Sequence, residues 1–297
     1  MTVYFLFFMK ENIYLSRNIF IVYTSFNKFN NVSFIIKVRK IIMNKSTIIE
    51  QLNKNRAKNI SMIGIIENYG IENYLKYGDS LLITVQTDHL WCYIAADRKE
   101  ELTELIKRFN YQTNHFASLE EWMIPVFSQN RKIEWELKTK RLILAETAAA
   151  KADLESDVSA ANRKSIDTEF IIRELKAKDA DYIFSHSHYQ QFTSKAYIRE
   201  RIEADCSAGI ILEGELAAWG LTHDDGALGF IHVREAFRKR GFARLIMQKL
   251  IRDKRKMNKD IFLNVEPDNF KAKKLFYSLG FEFDREISWL KLKEKDF

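Results

Sequence analysis

Three cations, Arg238, Lys239 and Arg240, run directly into Gly241. Ahead of them, Phe230 to Val233 reads as an apolar strand. Behind them, Phe242, Leu245, Ile246 and Leu250 recur at spacings of three and four, which makes one apolar helix face. The first amides of a helix have no internal partners and carry partial positive charge. Glycine lets a ligand approach the backbone without a side chain in the way. Strand, glycine turn and helix N-terminus together suit a pyrophosphate, with the three cations adding charge at the rim. A solvated basic turn between two core elements has the same pattern, because short glycine motifs match often by chance.

The following segment separates the two readings. Asp260 to Glu266 alternates as a strand, with Ile261, Leu263 and Val265 on one side. Pro267 and Asp268 mark a turn. A helix then carries Ala272, Leu275, Phe276 and Leu279 on one face, and Gly280 stops it. Arg238-x-x-Gly241-x-Ala243 resembles the acetyl-CoA pyrophosphate loop of the GNAT superfamily of N-acetyltransferases. Asn269-x-x-Ala272-x-x-Leu275-Phe276-x-x-x-Gly280-Phe281 resembles the second signature of that superfamily. The likeness covers roughly residues 168 to 297. Asp225 to Phe230 adds a weaker similarity to the glycine N-acyltransferase-like branch.

The resemblance implies an α/β (α+β) fold, a mixed central sheet flanked by helices, with acetyl-CoA as co-substrate and no metal. It puts the pyrophosphate over Arg238, Lys239, Arg240, Gly241, Phe242 and Ala243. The pantetheine arm would lie along the amides of Ile231 and Val233 as an added strand, with Asn269 and Phe276 beside it. Asn269 also suits a helix N-cap. Two departures concern the chemistry. Relatives with a base on the central strand carry it at a position matching Ala227 or Gly229, and neither residue can take a proton. His223 is the first substitute; Asp224, Asp225 and Glu266 are the others, and alternation turns His232 to the opposite face from Gly229. The usual tyrosine acid falls at Phe276, with Tyr277 about 100° further round the helix. Either Tyr277 reaches the thiolate, or the thiolate leaves unprotonated, or the domain binds CoA without efficient turnover.

Length and composition set the frame. A chain of 297 residues has room for two cores. Cys92 and Cys206 lie far apart with no metal-ligand spacing, which fits a reducing cytoplasm rather than a disulfide or zinc site. The net charge of +7 comes mostly from residues 1–42, where Lys10, Arg17, Lys28, Lys37, Arg39 and Lys40 stand against Glu11 alone. The rest is near neutral, apart from a basic stretch over 238–259. That balance, and the lack of interleaved aromatics, argue against nucleic acid as a partner. The apolar run Val3 to Met9 is too short to cross a bilayer, so no membrane partner is expected.

Four segments follow. Residues 1–42 lack Ala, Gly, Asp and Pro and show no sustained period; we expect Met43 to be the natural start, the alternative being a real membrane-surface or partner-binding arm. Residues 43–144 read as a smaller α/β companion domain, with a degenerate copy of the second as one origin for it. Its helices are expected at Ser46–Lys54 and Ile60–Tyr69, its strands at Ser80–Thr87 and Leu90–Ala95. A helix capped by Asp97 carries Leu102, Leu105, Ile106 and Phe109, and Trp122–Phe127 and Ile133–Leu144 would finish a small sheet. His89 and His115 read as surface or satisfied histidines. Residues 145–167 are an alanine-rich linker. In residues 168–297, strands are expected at Phe170–Leu175, Ala208–Leu212, Leu216–Thr222 and Ala227–Val233, and helices at Lys178–Ser187 and Lys195–Ala204. The expected activity is transfer of an acetyl or other acyl group to a primary amine of a small molecule, amino acid or peptide. A non-catalytic acyl-CoA sensor is the alternative. The acceptor, the acyl chain length and whether the chain forms a homodimer are not legible.

Overall fold

Short polar caps and apolar spacing set the helices. Asn44 accepts from the Thr47 amide at 2.8 Å to open α1 (Lys45–Asn53), and Asn55 opens α2 (Arg56–Tyr69) in the same way. The computed structural model describes residues 44–109, 111–129, 131–145, 170–187, 190 and 193–294. The stretch 1–42, the connection after Ala145, and Tyr189, Gln191 and Phe192 lie outside them.

After α2 come β1 (Asn73–Tyr77), β2 (Ser80–Gln86), β3 (Leu90–Ala95), α3 (Lys99–Phe109), β4 (His115–Leu119), α4 (Ile124–Ser128) and β5 (Ile133–Leu144). One further strand, β6 (Phe170–Arg173), precedes a second run of the same nine-element order. That run is α5 (Ala180–Ser185), α6 (Lys195–Ala204), β7 (Ala208–Leu212), β8 (Glu215–Thr222), β9 (Leu228–Val233), α7 (Phe242–Lys256), β10 (Phe262–Val265), α8 (Phe270–Ser278) and β11 (Phe281–Leu292). Trp122 to Phe127, expected as strand, is instead a 3-10 turn running into α4. Pro125 explains the difference: it cannot donate to a ladder but fits the first turn of a helix.

Among the described residues the eleven strands form one mixed sheet in the order β1-β2-β3-β4-β11-β5-β10-β9-β8-β7-β6. Apart from β6 at one edge, the order is symmetric about the central pair β11/β5. Each half supplies the strand that completes the other. β5, the last strand of the first half, pairs with β10, and β11, the last of the second, pairs with β4. The two also pair with each other over their whole length. A sequence boundary near residue 144 therefore separates segments of chain, not two sheets.

Packing follows the same exchange. Leu290 and Leu292 of β11 are fully buried among Leu102, Leu105, Phe109 and Phe116 of the first half. Leu142 and Leu144 of β5 are buried with Leu245, Ile246, Leu250 and Phe281 of the second. On the other side of the sheet α2 lies between the halves. Its Ile63, Ile65 and Ile66 face the first core, and Ile60 meets Ala227 and Phe262 of the second. Arg141 of β5, fully buried, ties this layer together. It pairs with Asp284 at 2.7 Å and donates to the Ala57 and Lys58 carbonyls of α2.

Because the cores share strands, they unfold together. Leu290→Ala leaves a cavity in the first half from a residue of the second, and costs about 2–5 kcal/mol. Chemical denaturation followed by near-UV and far-UV circular dichroism is expected to show one coincident transition shifted to lower denaturant. Two separate transitions would contradict the interlock.

Candidate functional site

The site grows from an irregularity in β9. Trp219 pairs with His232 and Leu221 with Gly229, so Phe230 is an extra residue in the ladder. Phe230 has a φ of 54°, a left-handed value that a bulky side chain rarely adopts. The bulge turns β9 away from β10: the two parallel strands pair only at Leu228↔Leu263. Past that point the β10-side edge of Gly229 to Val233 has no ladder partner. One residue along β10, the buried side-chain oxygen of Asn264 has no hydrogen-bond partner. A splayed parallel pair suits an extended ligand that brings its own hydrogen-bonding groups.

Below the splay the chain reaches the basic loop. Gly241 has a φ of 78°, forms the N-cap of α7 and has no side chain with which to cap it. A side chain added there would meet open space. Phe242 is buried in the core while Arg238, Lys239, Arg240 and Gly241 are exposed, so the first amides of α7 face outward from an anchored helix. Arg238 donates to the Val233 carbonyl at 3.2 Å, and the Arg240 guanidinium lies over Phe237. The side chains of Ile231 and Val233 pack on the α7 core. Asn269 caps α8, accepting from Ala272 at 3.1 Å.

The proton-handling residues fall differently. Leu228 and Ile231, three apart, reach the same core, because the bulge breaks the alternation between them. Gly229 thereby leaves the side of Ile231, where simple alternation puts it. A side chain added at Gly229 would run into the His223 imidazole. His223 thus occupies the space of the residue that Gly229 lacks, with its ring 4.8 Å from that of Phe230. Burial holds the His223 pKa below the usual imidazole value, with Asp225 pushing the other way and Arg201 adding to the drop. His232 stacks on Trp219 at 4.4 Å. On α8, Phe276 is 7% exposed and packs in the core near Phe281, whereas Tyr277 is 47% exposed. The helix is not shifted, and Tyr277 takes the outward position that the 100° step gives it.

The matching corner of the first half holds only a small cavity, lined by Lys58, Tyr93, Ile94, Ser118 and Glu120 among others. β3 and β4 stay paired through Trp91↔His115, Cys92↔Phe116 and Tyr93↔Ala117. Only Ala96, Asp97 and Arg98, none a glycine, connect β3 to α3. Lys58 closes the strand ends, donating to the Ala96 carbonyl at 2.7 Å and pairing with Asp97 and Glu120. His115 stacks on His89 at 4.3 Å, away from any such crevice. Among the described residues no group of three or more His, Cys, Asp or Glu could hold a metal ion. No described helix is long and apolar enough to cross a membrane.

Sequence reasoning missed Asn264 and the bulge at Phe230. Asn264 left one signal, a polar residue amid an apolar strand.

Comparison with known proteins agrees with this geometry. Residues 207–290 match the family model described as FR47-like protein. The matched stretch contains both of the signatures that resemble the GNAT superfamily. A Drosophila protein of known structure is 16% identical and superposes with a TM-score of 0.68 over 84% of this chain and 97% of its own, so the whole interlocked fold is shared. A GCN5-related N-acetyltransferase-like protein from Streptococcus suis is 11% identical over 82% of this chain and 99% of its own, with a TM-score of 0.48. A GCN5-related N-acetyltransferase from Kribbella flavida is 10% identical over 80% and 98%, with a TM-score of 0.47. No curated protein matches the sequence significantly.

Asp224, next to His223, has its carboxyl pKa raised to about 7, by burial first and then by Asp225. The folded protein holds this proton between about pH 4, the ordinary carboxylate value, and pH 7, while the unfolded chain has released it. Stability therefore falls as pH rises through that window. Asp224→Asn is expected to gain on the wild type between pH 5 and pH 8 in denaturant titrations. A pH-independent offset between the two would contradict the assignment.

Proposed function

We propose that the C-terminal half transfers an acetyl group from acetyl-CoA to a primary amine of a small molecule, amino acid or peptide. The observation that carries this reading is the single-point pairing of β9 and β10 directly above the uncapped N-terminus of α7. A thioester arm fits the splay, and a pyrophosphate fits the exposed amides at Gly241, Phe242 and Ala243. Arg238, Lys239 and Arg240 surround that position with charge.

In this reading the amine lone pair attacks the thioester carbonyl, the C–S bond breaks, and the amine proton passes to His223. A base must be unprotonated to act, and the lowered pKa of the buried imidazole keeps it so at neutral pH. The CoA sulfur leaves as thiolate and takes its proton from solvent, which a thiol pKa near 8 allows. This follows from the side chains on α8: Phe276 has no hydroxyl and Tyr277 faces outward. The same two residues favour the second reading, a module that binds acyl-CoA without turnover.

Acetyl-CoA is expected to raise the melting temperature of the wild type but not of Gly241→Glu, whose carboxylate would take the pyrophosphate position. With acetyl-CoA and a panel of amino-acid and peptide amines, His223→Ala is expected to lower kcat by about 10²–10⁴-fold and to leave the acetyl-CoA KM nearly unchanged. A thermal shift with no thiol release from any amine would support the sensor reading. No shift at millimolar acetyl-CoA would contradict both.

A further inference from the structure

The turn that carries His223 is gripped by the other half of the molecule. Within itself the turn is tight. The His223 amide donates to the Ala227 carbonyl at 2.8 Å, Gly226 donates to His223 at 2.9 Å, and Asp225 accepts from the Ala227 amide at 3.0 Å. Those bonds, with the Thr222↔Leu228 pair of the ladder, close the hairpin between β8 and β9. A second hold on it comes from α2. The Asn68 side-chain amide donates to the Asp224 carbonyl at 2.7 Å, across 156 residues of sequence. One turn earlier, Gly64 has no side chain because the Asp225 carbonyl oxygen occupies the space where a Cβ would stand. One residue later, Tyr69 donates to Glu200 at 2.6 Å and accepts from Arg201 at 3.1 Å. Arg201, fully buried, in turn donates to the Thr222 carbonyl and hydroxyl, immediately before His223. From the far side, the Asp224 amide donates to the Tyr197 hydroxyl at 3.2 Å.

Gly64 and Asn68, four residues apart, share one face of α2, and Tyr69 lies one step further round the helix. The isoleucines Ile63 and Ile66 fill the core of the first half. The helix is therefore anchored in one half while it supports a loop of the other. Asn68 makes a side-chain bond to a main-chain carbonyl, and this fixes the loop backbone whatever the loop sequence. Gly64 sets how closely helix and loop approach.

We propose that Asn68 and Gly64 are positioning residues for the candidate base: α2 of the first half holds the His223–Gly226 turn so that the imidazole lies against Gly229. The inference rests on His223 being the base. It gives the first half a part in the chemistry of the second. A base moved by about 1 Å loses as much as 10²-fold in rate, so the contact has a kinetic consequence beyond stability.

The test compares wild type, Asn68→Ala, Asn68→Asp, Gly64→Ala and His223→Ala. Asn68→Ala removes the donor without adding charge, Asn68→Asp keeps the shape but adds a carboxylate, and the pair guards against a Gly64→Ala protein that fails to fold. Acetyl-CoA affinity by calorimetry reports whether the donor site is intact. The His223 ring is followed by NMR titration of histidine-labelled protein, its signal identified by its loss in His223→Ala. The charges that act on it are Asp225 and Arg201, and Asp224 beside it is a further titratable group. Turnover is read as thiol release with acetyl-CoA and the amine panel. We expect acetyl-CoA affinity within twofold of wild type, a displaced His223 titration in both Asn68 variants, and kcat lowered about tenfold in them and more in Gly64→Ala. The acid limb of the pH–rate profile should move with the imidazole. Wild-type titration and wild-type kcat in the Asn68 variants, with His223→Ala inactive, would overturn this inference and leave the base in place. Wild-type turnover in His223→Ala would overturn the base, and this inference with it.

Discussion

Two parallel strands that meet at one residue pair are the constraint on which the rest depends. β9 and β10 join at Leu228 and Leu263 and then part. Parting leaves main-chain polar groups without strand partners, a costly arrangement unless solvent or a ligand serves them. The cause is local: one extra residue, Phe230, held at a left-handed φ opposite a regular β8. Backbone strain of this kind persists only where the surroundings over-determine it. Here they do. Phe230 is packed by the rings of Tyr197 and His223, and Ile231 and Val233 beyond it are held by the α7 core.

The interlock of the halves explains how a crevice can be kept open. β10 has β5 on its other side, so its place is fixed by a strand from the first half. β9 is fixed by β8 and by the turn that α2 supports. The gap lies between two separately anchored walls. The first half repeats the same order of elements without the bulge, without the glycine loop, and with a lysine ion-paired across the strand ends. One architecture thus occurs twice, and the copies differ at this corner: the first keeps a small cavity beside Lys58, the second a splayed strand pair.

Much of this was legible from residue types. The loop at Gly241, the helix behind it and the Asn269 to Phe281 signature are local patterns, and local patterns survive in sequence. The ends of β3, β7 and α6 were legible for the same reason. The β11 strand was not. Its alternation is broken where the register shifts between Phe283 and Arg285, and its outward positions carry Glu282, Glu286 and Lys291. β1 and β4 are five residues each, too short for a period to stand out. The strand exchange was invisible for a deeper reason: which sheet a strand joins is decided by contacts more than a hundred residues apart. The place of Gly229 was misread because alternation assumes a regular strand, and a single bulge reverses it. The neighbours of His223 show the other limit. Ranking it first among the bases rested on its type and its nearness to β9. That it fills the vacant side of Gly229 depends on the turn, on α2 and on the bulge together.

The account is tested most directly by hydrogen exchange, with and without acetyl-CoA. If the ligand lies in the splay and over the α7 N-terminus, protection should rise at the amides of residues 229–233 and 241–243 and stay unchanged at residues 94–99, the matching corner of the first half. Unchanged exchange over 229–243 at saturating ligand, or protection at the first-half corner instead, would contradict it.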